Sequence, residues 1–455
     1  HLSVHSFPTR RSSDLGVVTA SEEQAAVRCY SPGLRIGFCT TRVDKMMLPV
    51  HKLLAQCFSP ILAERAMPEQ QRILHIIYSL KAGGAEELLS QWVRQRESAD
   101  EHHIVCAWRD GGPLEAVIRG SGATLHVLRL RRRRSWTGPL ALWDLVTAVE
   151  RLSAIGRDSG ATLIHGHLND GALLAVLVAR RLRRPALAHV HSHHLVPLTL
   201  GTRTLAARAW TAALGWSLRR AALVACVSGE VRRTVRTRLT VDAARLCVVP
   251  VGVRPPAVSG RRSAARARLG LAPDAFVAGF VGRLVANKNQ IALLGMMAHV
   301  RTRDENVRLL LAGEGPDRDR LADRARALGF DPDDILLGRV GDVAEFEAAV
   351  DVFVAASLTE GTSLAIVEAM AAGLPIVALD AEGNRDTLAE GAGWLVPDAR
   401  PETLGDAVLR LAHEPTTRRR LGDQARVRYE ACYSWEAMMN ALTEAYGAAA
   451  GAEPR

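Results

Sequence analysis

Short apolar runs rich in valine, isoleucine and leucine alternate with longer stretches of helical period from Arg72 onward. This alternation is typical of parallel sheets covered by helices, because each strand is buried and a helix leads to the next strand. The first series of predicted strands covers residues 73–78, 103–107, 123–128, 162–165, 186–191, 223–227 and 247–249. The second series covers residues 276–281, 307–311, 335–337, 352–354, 376–379 and 394–396. We therefore predict an α/β protein with two parallel sheets.

A segment rich in proline and glycine separates the two series. Three prolines and a glycine within residues 250–256 disfavour the continuation of a strand or a helix, so residues 251–256 are interpreted as a linker. The prediction is two doubly wound, Rossmann-like domains, at residues 67–250 and 257–430, that face each other across a cleft. Ligands of such sheets bind beyond the carboxyl ends of the strands, where loops and helix N-termini converge.

Residues 1–66 differ from the rest of the chain. They show no sustained period of 2 or 3.6 and lack the apolar core and cleavage site of a signal peptide. The run from Ser6 to Leu15 resembles the translation of a common sequencing adapter. We expect residues 1–66 to be a non-native extension, with Met67 as the natural start. A genuine disordered extension is the alternative.

Composition places the chain among globular proteins. A length of 455 residues with 48% hydrophobic residues suffices for two large cores and excludes disordered and collagen-like chains. Apolar stretches such as residues 172–179 are far shorter than the ~18 residues that cross a bilayer as a helix. The seven cysteines include no Cys-x-x-Cys pair, which argues against a disulfide framework or a zinc ribbon. We expect a cytoplasmic protein.

The net charge of +10 is unevenly distributed. Residues 1–66 carry +3, residues 67–250 carry +12 and residues 251–455 carry −5. A basic half of this kind predicts an anionic partner. Charge alone leaves open whether that partner is nucleic acid, an acidic membrane surface or a phosphorylated substrate.

Two arginine-rich segments, residues 129–134 and residues 180–184, concentrate the basic charge. Near an anionic bilayer each arginine contributes about 1 kcal/mol, and Trp136 and Trp143 suit the interface. No nucleic-acid reading motif is recognisable, so we expect no nucleic-acid partner. Peripheral contact with a membrane is one hypothesis, and a solvated basic loop is the alternative.

The densest candidate chemistry lies in residues 357–375, where a strand, a turn and a helix follow one another. Thr362 or Ser363 is a good N-cap, so the free N–H groups of the first turn form an anion site at the positive end of a helix dipole. Glu360 precedes this helix and Glu368 lies inside it. Two carboxylates on either side of a helix end can contact different parts of one extended ligand, whereas Glu368 alone would be interpreted as solvent-facing.

Two cations, Arg283 and Lys288, lie in a predicted strand-to-helix loop. A cation about 4 Å from a phosphate contributes about 4 kcal/mol of attraction at an effective dielectric of about 20, so the pair has the character of a diphosphate clamp. Only four of the 58 basic residues are lysines, which makes the ammonium of Lys288 unusual in this chain. Taken alone, the pair would be interpreted as solvated loop charge.

Six histidines gather at the ends of two predicted strands: His165, His167, His189, His191, His193 and His194. His189, His191 and His193 share one face of an extended chain, so a metal site has to be considered. No carboxylate or cysteine follows at ligand spacing, and we expect no bound metal. His165 and His167 are interpreted as loop or cleft-lining residues.

Glycine motifs follow two of the strands. Gly83-Gly84 gives a tight turn that lets the backbone approach a phosphate or an acceptor, although an isolated pair is usually only a turn. Gly313-Glu314-Gly315-Pro316 lacks the third glycine of a dinucleotide fingerprint, which disfavours a dehydrogenase.

Several of these motifs occur together in a fixed order. The second half contains Gly282-Arg283-Leu284 with Lys288, Ala312-Gly313-Glu314-Gly315-Pro316, the stretch from Glu360 to Ala371, and Gly383-Asn384-Arg385-Asp386. The first half contains Gly83-Gly84-Ala85-Glu86, Val227-Ser228 and Val249-Pro250-Val251-Gly252-Val253. From residue 73 to residue 446 the chain thereby resembles glycosyltransferase family 4, also called group 1. It departs at Val251, where the family usually has Asn, and at Asp386, where Glu is commoner.

The resemblance implies a GT-B fold and a role for each matching residue. Four catalytic residues are implied: His191 against the donor sugar, Arg283 and Lys288 on the departing diphosphate, and Glu360 close to the sugar. The implied donor-binding residues are Gly83, Gly84, Gly282, Arg339, Val340, Gly361, Thr362, Ser363, Leu364 and Glu368. Among them Glu368 would accept hydrogen bonds from the ribose, and the main chain at Arg339 and Val340 would contact the base. Residues 431–455 would form a helix that crosses back to the first domain, followed by a tail.

The function implied is a retaining, metal-independent transfer of a hexose or N-acetylhexosamine from a UDP-sugar or GDP-sugar, without a cofactor. The acceptor would be a lipid-linked or saccharide intermediate of cell-surface polysaccharide or glycolipid synthesis. Such acceptors favour a peripheral position on the inner face of the plasma membrane. Two alternatives stay open: a nucleotide-sugar 2-epimerase of GT-B architecture, and a noncatalytic sugar-nucleotide-binding protein.

Overall fold

The computed structural model describes residues 71–81, 83–95, 101–130, 139–192, 195 and 204–452. The chain divides into a unit His1–Ala66 and a unit Met67–Arg455, and the described residues belong to the second unit. Among them, thirteen strands form two parallel sheets, which confirms the predicted α/β fold. The predictions for Arg131 to Arg134, Trp136, His193 and His194 lie outside the described residues.

The first sheet has seven strands in the order β3-β2-β1-β4-β5-β6-β7. They are β1 (Gln71–Ser79), β2 (Glu101–Asp110), β3 (Thr124–Val127), β4 (Leu163–His167), β5 (Ala186–Val190), β6 (Leu223–Cys226) and β7 (Leu246–Val248). The helices between them are α1 (Gly84–Gln95), α2 (Leu114–Arg119), α3 (Pro139–Asp158), α4 (Leu168–Leu182), α5 (Leu205–Leu218) and α6 (Gly229–Leu239). This sheet and its helices are called the N-terminal half.

The second sheet has six strands in the order β10-β9-β8-β11-β12-β13. They are β8 (Phe276–Val281), β9 (Val307–Ala312), β10 (Leu336–Gly338), β11 (Val352–Ala355), β12 (Ile376–Leu379) and β13 (Trp394–Val396). Its helices are α7 (Arg262–Arg268), α8 (Gln290–Arg301), α9 (Arg318–Ala327), α10 (Val343–Ala349), α11 (Leu364–Ala371), α12 (Asn384–Thr387), α13 (Pro401–His413) and α14 (Pro415–Arg428). This sheet and its helices are called the C-terminal half.

Each half has its own core, and the central strands are buried on both faces. Every residue of β4 and β5 is buried, as expected for a parallel sheet with helices on both sides. The valine, isoleucine and leucine runs that predicted the strands form these cores. Leu364, at the start of α11, packs against both cores and so lies between the halves.

The chain passes between the halves at two adjacent places. The backbone N–H of Val253 donates to the Tyr433 carbonyl at 3.1 Å, and the Tyr429 hydroxyl donates to the Val253 carbonyl at 2.9 Å. Helix α15 (Trp435–Gly451) then follows and buries Leu442 and Tyr446 in the core of the N-terminal half. The last helix therefore belongs to the N-terminal half by its packing.

In each sheet there is one position, the switch point, from which successive strands are added outward in opposite directions. The switch lies between β1 and β4 in the first sheet, and between β8 and β11 in the second. A crevice opens at the carboxyl ends of the strands at such a point, and ligands of doubly wound folds bind there. None of the helices in the described residues is long and apolar enough to cross a membrane.

Candidate active site

Three contacts bring the switch points of the two halves together. The Thr362 hydroxyl donates to the Val227 carbonyl at 3.2 Å. A Cβ on Gly361 would lie 2.6 Å from the carbonyl oxygen of His191, so only glycine fits between the halves there. A Cβ on Gly84 would lie 3.1 Å from Cδ1 of Leu364. Predicted site residues from opposite ends of the sequence therefore line one cleft.

Lys288 and Glu360 form an ion pair in this cleft, although 72 residues separate them in the chain. Lys288 ends a single 3-10 turn after β8, and Glu360 lies in the loop after β11. Their side chains are 21% and 13% exposed, so the pair is largely removed from solvent. Lys288 and Glu360, which the sequence analysis placed at the same ligand, thus contact each other before any ligand binds.

Asn287 holds the two loops of this ion pair together. Its carbonyl accepts from the Leu358 N–H at 2.9 Å, its Nδ2 donates to the Thr359 carbonyl at 2.8 Å, and its Oδ1 accepts from the Thr359 hydroxyl at 2.9 Å. Three hydrogen bonds from one residue fix the loop after β8 to the loop after β11. The positions of Lys288 and Glu360 therefore depend on Asn287.

Gly383 supports Glu360 from the other side. Its φ of +85° lies in the region that favours glycine, and a Cβ there would lie 2.4 Å from the Glu360 carbonyl oxygen. The Glu360 N–H donates to the Glu382 carbonyl at 3.3 Å. The loop of residues 382–383 thus packs directly on the backbone that carries the Glu360 carboxylate.

The glycines after β8, β9 and β10 allow three strand ends to meet. The Gly282 N–H donates to the Ala312 carbonyl at 2.9 Å, and the Gly313 N–H donates to the Gly338 carbonyl at 2.7 Å. A Cβ on Gly313 would lie 1.9 Å from the Gly282 carbonyl oxygen, so no other residue fits. This contact explains why both motifs, the one at Gly282 and the one at Gly313, contain glycine.

Arg283 lies on this glycine framework with an exposed side chain, and none of the described carboxylates forms an ion pair with it. Its carbonyl accepts from Nε2 of the buried Gln290 at 2.8 Å, which fixes the backbone beneath the guanidinium. Arg339 is also exposed, 3.8 Å from Glu314, and Val340 is half-buried beside it. Arg283 is thus a cation available to an anionic ligand, whereas Lys288 is already paired.

Helix α11 begins at the cleft as predicted, but its cap differs from the prediction. Ser363 is the N-cap residue, yet its side chain makes no capping hydrogen bond. Thr362 is used elsewhere, because its hydroxyl donates to the Val227 carbonyl. Without a side-chain cap, the first-turn N–H groups remain available for an anion at this helix end.

Glu368 lies in α11 and is largely buried. Burial and, to a smaller extent, the charge of Glu87 in α1 raise its pKa to about 7. Glu347 of α10 is 2% exposed, and its Oε2 has no hydrogen-bond partner among the described residues. Burial, followed by the charge of Glu368, raises the pKa of Glu347 to about 8. Hydrogen-bond donors would stabilise the ionised form of these carboxylates, and a pair of ligand hydroxyls would supply such donors.

Six histidines share one face of the first sheet, called here the histidine face: His75, His103, His165, His167, His189 and His191. The strand register places His165 beside His75 and His189 beside His167. Trp92 of α1 packs edge-on against His165 with ring centroids 5.4 Å apart, and the Tyr446 hydroxyl is hydrogen-bonded to Nδ1 of His165 at 3.0 Å. The interpretation of His165 and His167 as loop or cleft-lining residues is wrong, because both are buried in β4.

Burial sets the protonation of this face. Desolvation lowers the pKa of His165, His167 and His189 well below the usual range, and lowers the pKa of His191 to about 4. These four imidazoles are neutral at pH 7. His191, at the end of β5, is the half-buried member next to the cleft.

The two departures from the family pattern have structural counterparts. Val251 is 6% exposed in the core of the N-terminal half. The Asp386 carboxylate accepts from the Glu230 N–H in the first turn of α6 and pairs with Arg233 at 3.2 Å. A carboxylate is favourable at a helix N-terminus, so Asp386 connects the halves electrostatically.

Sequence reasoning missed Asn287, Gln290 and Glu347. Asn287 lies one residue before Lys288 and Gln290 two residues after it, so their position was a usable signal. Glu347 carried none, because its burial depends on packing between helices that lie far apart in sequence. His75 and His103 were missed because each stands singly in a predicted strand.

Comparison with known proteins agrees with this arrangement. The family model of glycosyl transferases group 1 matches residues 261–428, and that of glycosyltransferase family 4 matches residues 82–255. The putative glycosyltransferase EpsF of Bacillus subtilis is 25% identical over 328 residues, which are 68% of this chain and 79% of EpsF. A D-inositol 3-phosphate glycosyltransferase of Stackebrandtia nassauensis is 31% identical over 328 residues, which are 68% of this chain and 73% of that protein.

A solved structure supports the fold independently of sequence. Anabaena HepE, crystallised in complex with UDP and glucose, superposes with a TM-score of 0.69 at 20% identity. The match covers 83% of this chain and 100% of HepE. Two facing parallel sheets with this strand order, the two family models and these relatives agree. The chain belongs to the group 1 glycosyltransferases of family 4 and has the GT-B fold.

Proposed function

We propose that this protein transfers a hexose or N-acetylhexosamine from a UDP-sugar or GDP-sugar to a lipid-linked or saccharide acceptor, with retention at the anomeric carbon and without a metal ion. The observation that carries the proposal is the cluster of Lys288, Glu360 and Arg283 at the N-terminus of α11, at the switch point of the second sheet. This cluster offers cations, free N–H groups and a carboxylate to one extended ligand.

The diphosphate of the donor binds to the cations and the helix end. Arg283 is exposed without an ion pair to a described carboxylate, and the first-turn N–H groups of α11 have no side-chain cap. A donor phosphate competes with Glu360 for the ammonium of Lys288. When Lys288 turns to the phosphate, the Glu360 carboxylate is released to accept hydrogen bonds from the sugar hydroxyls.

Transition-state stabilisation follows from the same charges. As the bond between the anomeric carbon and the phosphate oxygen breaks, negative charge develops on the diphosphate next to Lys288 and Arg283. Interactions that strengthen as this charge develops accelerate the reaction. The acceptor oxygen bonds to the anomeric carbon on the side of the leaving group, and its proton passes to the leaving phosphate.

The nucleoside and the sugar are held at opposite sides of this centre. Ionised Glu368 accepts hydrogen bonds from the ribose hydroxyls, and the main chain at Arg339 and Val340 faces the base. His191 contributes a neutral imidazole at the edge of the cleft, beside Gly361. The UDP in the HepE complex supports a uridine nucleotide as the first donor to test.

An anionic acceptor or surface fits the basic N-terminal half. Five arginines line a cavity of about 710 Å³ that has no acidic lining residue: Arg180, Arg183, Arg184, Arg220 and Arg245. The cavity borders the first residues of β5 and β6, at the end of the sheet remote from the cleft. We place peripheral membrane contact at this surface. The name of the Stackebrandtia relative supports a phosphorylated acceptor group.

The decisive test is product analysis with a panel of nucleotide sugars. Protein treated with a chelator is incubated with each UDP-sugar or GDP-sugar and with saccharide and lipid-linked acceptors. We expect one donor to give an α- or β-glycoside with the anomeric configuration of that donor, with no loss of rate in the presence of the chelator. Inversion, or a rate that requires a divalent metal ion, contradicts the mechanism. An epimerised nucleotide sugar without transfer would identify an epimerase instead.

A further inference from the structure

Three neighbouring histidines of the histidine face have several ring nitrogens without a hydrogen-bond partner in the part of the chain that the structure describes. One ring nitrogen each of His167, His189 and His191 lie within 4.8 Å of one another. His167 and His189 are 1% exposed, and His191 is half-buried at the cleft. The three side chains come from the ends of β4 and β5, which are neighbouring strands of the sheet.

Four ring nitrogens of this group have no hydrogen-bond partner among the described residues. They are Nδ1 of His167, Nδ1 and Nε2 of His189, and Nε2 of His191. The backbone of Val249 lies near enough to His189 to favour its charged form, but no hydrogen bond of normal geometry results. An unsatisfied buried polar group costs about 1–3 kcal/mol, and native proteins retain few of them. An occupant bound by one nitrogen of each histidine would remove that cost for three of the four.

A second group, His75, His165 and His167, is also close enough to hold an ion, but its nitrogens are used differently. Nδ1 of His75 is hydrogen-bonded to Nε2 of His167 at 3.0 Å, and Nε2 of His75 to Nδ1 of His103 at 2.9 Å. Nδ1 of His165 is hydrogen-bonded to the Tyr446 hydroxyl. Binding at this second group would break bonds that already exist. The group of His167, His189 and His191 keeps its hydrogen bonds when it binds.

The hydrogen bonds of His167 have the form of a supporting network for a metal ligand. Nδ1 of His167 is free of hydrogen bonds to the described residues, and its Nε2 is hydrogen-bonded to His75, which is in turn hydrogen-bonded to His103. Nε2 of His103 lies 3.4 Å from Oε2 of Glu101. Metal-binding histidines usually bond their second nitrogen to a carboxylate, a carbonyl or water, which fixes the ring and its tautomer. Here two further histidines extend that support to a carboxylate.

We propose that His167, His189 and His191 bind one divalent transition-metal ion, with Zn²⁺ as the reference ion and the fourth position open to the cleft. Imidazole nitrogens suit Zn²⁺, Cu²⁺ and Ni²⁺, whereas Mg²⁺ and Ca²⁺ require oxygen ligands that this group lacks. Tetrahedral Zn²⁺ with bonds of about 2.0–2.1 Å sets its nitrogen ligands about 3.4 Å apart, so nitrogens that lie within 4.8 Å of one another approach by at most about 1.4 Å. His191 at the cleft provides the route of entry.

The transfer reaction proposed above does not require an ion at this site. Lys288 and Arg283 act on the diphosphate, so the ion is not needed for catalysis. Because His191 serves both the donor sugar and the ion, occupancy of the metal site excludes His191 from the sugar and inhibits transfer. Binding is measured in the absence of any donor, so its result does not depend on the proposed activity.

The test is a titration of the full chain with Co²⁺ after removal of metal by a chelator. Co²⁺ at three nitrogens and a solvent ligand gives visible absorption, and Zn²⁺ abolishes that absorption by displacement. We expect one Co²⁺ per chain without the near-ultraviolet band of a thiolate ligand, which separates this site from the cysteines. His191→Ala and His189→Leu should each weaken binding more than about tenfold, and Glu101→Gln by about tenfold.

Two controls make the outcome decisive. His413→Ala changes an exposed histidine outside the histidine face and should leave the Co²⁺ affinity unchanged. Circular dichroism and thermal melting establish that each variant is folded, and His191→Ala is the variant least disturbing to the core. The proposal is overturned if folded wild-type protein binds no Co²⁺, if His191→Ala binds it equally well, or if only His165→Leu abolishes binding.

Discussion

The two halves of the molecule have similar strand orders but differ in the charge of the polar groups near their switch points. In the N-terminal half, polar side chains lie on the face of the strands beneath α1 and α15, and four histidines there are neutral because burial lowers their pKa values. In the C-terminal half, Lys288 and Glu360 lie in loops beyond the strand ends and form an ion pair. On a strand face that is covered by helices, polar side chains are neutral because burying a charge is costly. In a loop at the cleft, side chains keep their charge.

In the reaction that we propose, this difference separates two kinds of contribution. The C-terminal half supplies the charged groups that stabilise the leaving diphosphate. The N-terminal half supplies neutral hydrogen-bonding groups and the surface against which the other half packs. The predictions that follow test this division, beginning with the largest effect.

Removing the ammonium of the C-terminal half should have the largest effect. Lys288→Ala is expected to lower kcat by about 10²–10³-fold, because preorganised charge at the leaving group is lost. His191→Ala, which removes a neutral group, should lower kcat by only about tenfold. Steady-state kinetics with the identified donor measure both. Arg326→Ala, an exposed cation of α9, is the matched control. Equal losses in Lys288→Ala and His191→Ala would contradict the division between the halves.

The pH dependence of donor binding should be the next largest effect. Burial raises the pKa of Glu368 to about 7, so the carboxyl becomes neutral as the pH falls through that value. A neutral carboxyl accepts hydrogen bonds from the ribose poorly, and the donor KM should rise by up to about tenfold per pH unit below about pH 7. Glu368→Gln should have a high KM without this dependence. A wild-type KM that stays constant between about pH 6 and 8 would remove the role of Glu368.

Adding a single carbon atom at Gly361 should disturb the packing between the two halves. A Cβ on Gly361 would lie 2.6 Å from the His191 carbonyl oxygen, so Gly361→Ala forces the cleft apart. We expect kcat/KM to fall by about tenfold, since small displacements of reacting groups are costly. Gly341→Ala is the control, because a Cβ there meets no atom within 4 Å. If Gly361→Ala has wild-type activity, the contact between Gly361 and His191 is not used in catalysis.

The smallest effect concerns the stability of the C-terminal half. Burial raises the pKa of Glu347 to about 8 from the ordinary 4.5, so the native state retains a proton that the unfolded state loses. The native state binds more protons within this window, and the free energy of unfolding therefore decreases as the pH rises from about 4.5 to about 8. Glu347→Gln should remove this decrease and raise the melting temperature at alkaline pH. Thermal melts of Glu347→Gln and of the exposed control Glu402→Gln across this range would show it, and identical curves would contradict it.

The sequence predicted the fold well because its signals are local. All thirteen strands of the described residues coincide with predicted runs, since a buried parallel strand is a continuous apolar segment bounded by turn residues. The loops of the candidate site were also predictable, because Arg283, Lys288 and Glu360 lie at strand ends, where crevices form. The family resemblance supplied what local signals lack, namely the role expected of each residue.

The parts that escaped prediction depend on contacts between distant segments. The histidine face joins β1, β2, β4 and β5, so His75 and His103 carried no signal until the order of the strands was known. Asn287 links two loops that lie 72 residues apart, and only the fold brings them together. Ser363 is the N-cap residue of α11 as expected, but its side chain makes no capping hydrogen bond, and the Thr362 hydroxyl bonds to the other half instead.

The double passage of the chain between the halves determines how they can move. Val253 and Ser434 form an isolated parallel bridge, and the Gly252 N–H contacts the Met438 sulfur at 3.2 Å. These contacts join the two crossing segments side by side, so sliding of one half along the cleft would break the bridge. We expect the cleft to open mainly by rotation about the two segments. Distances between spin labels on the two halves, with and without donor, would measure that opening.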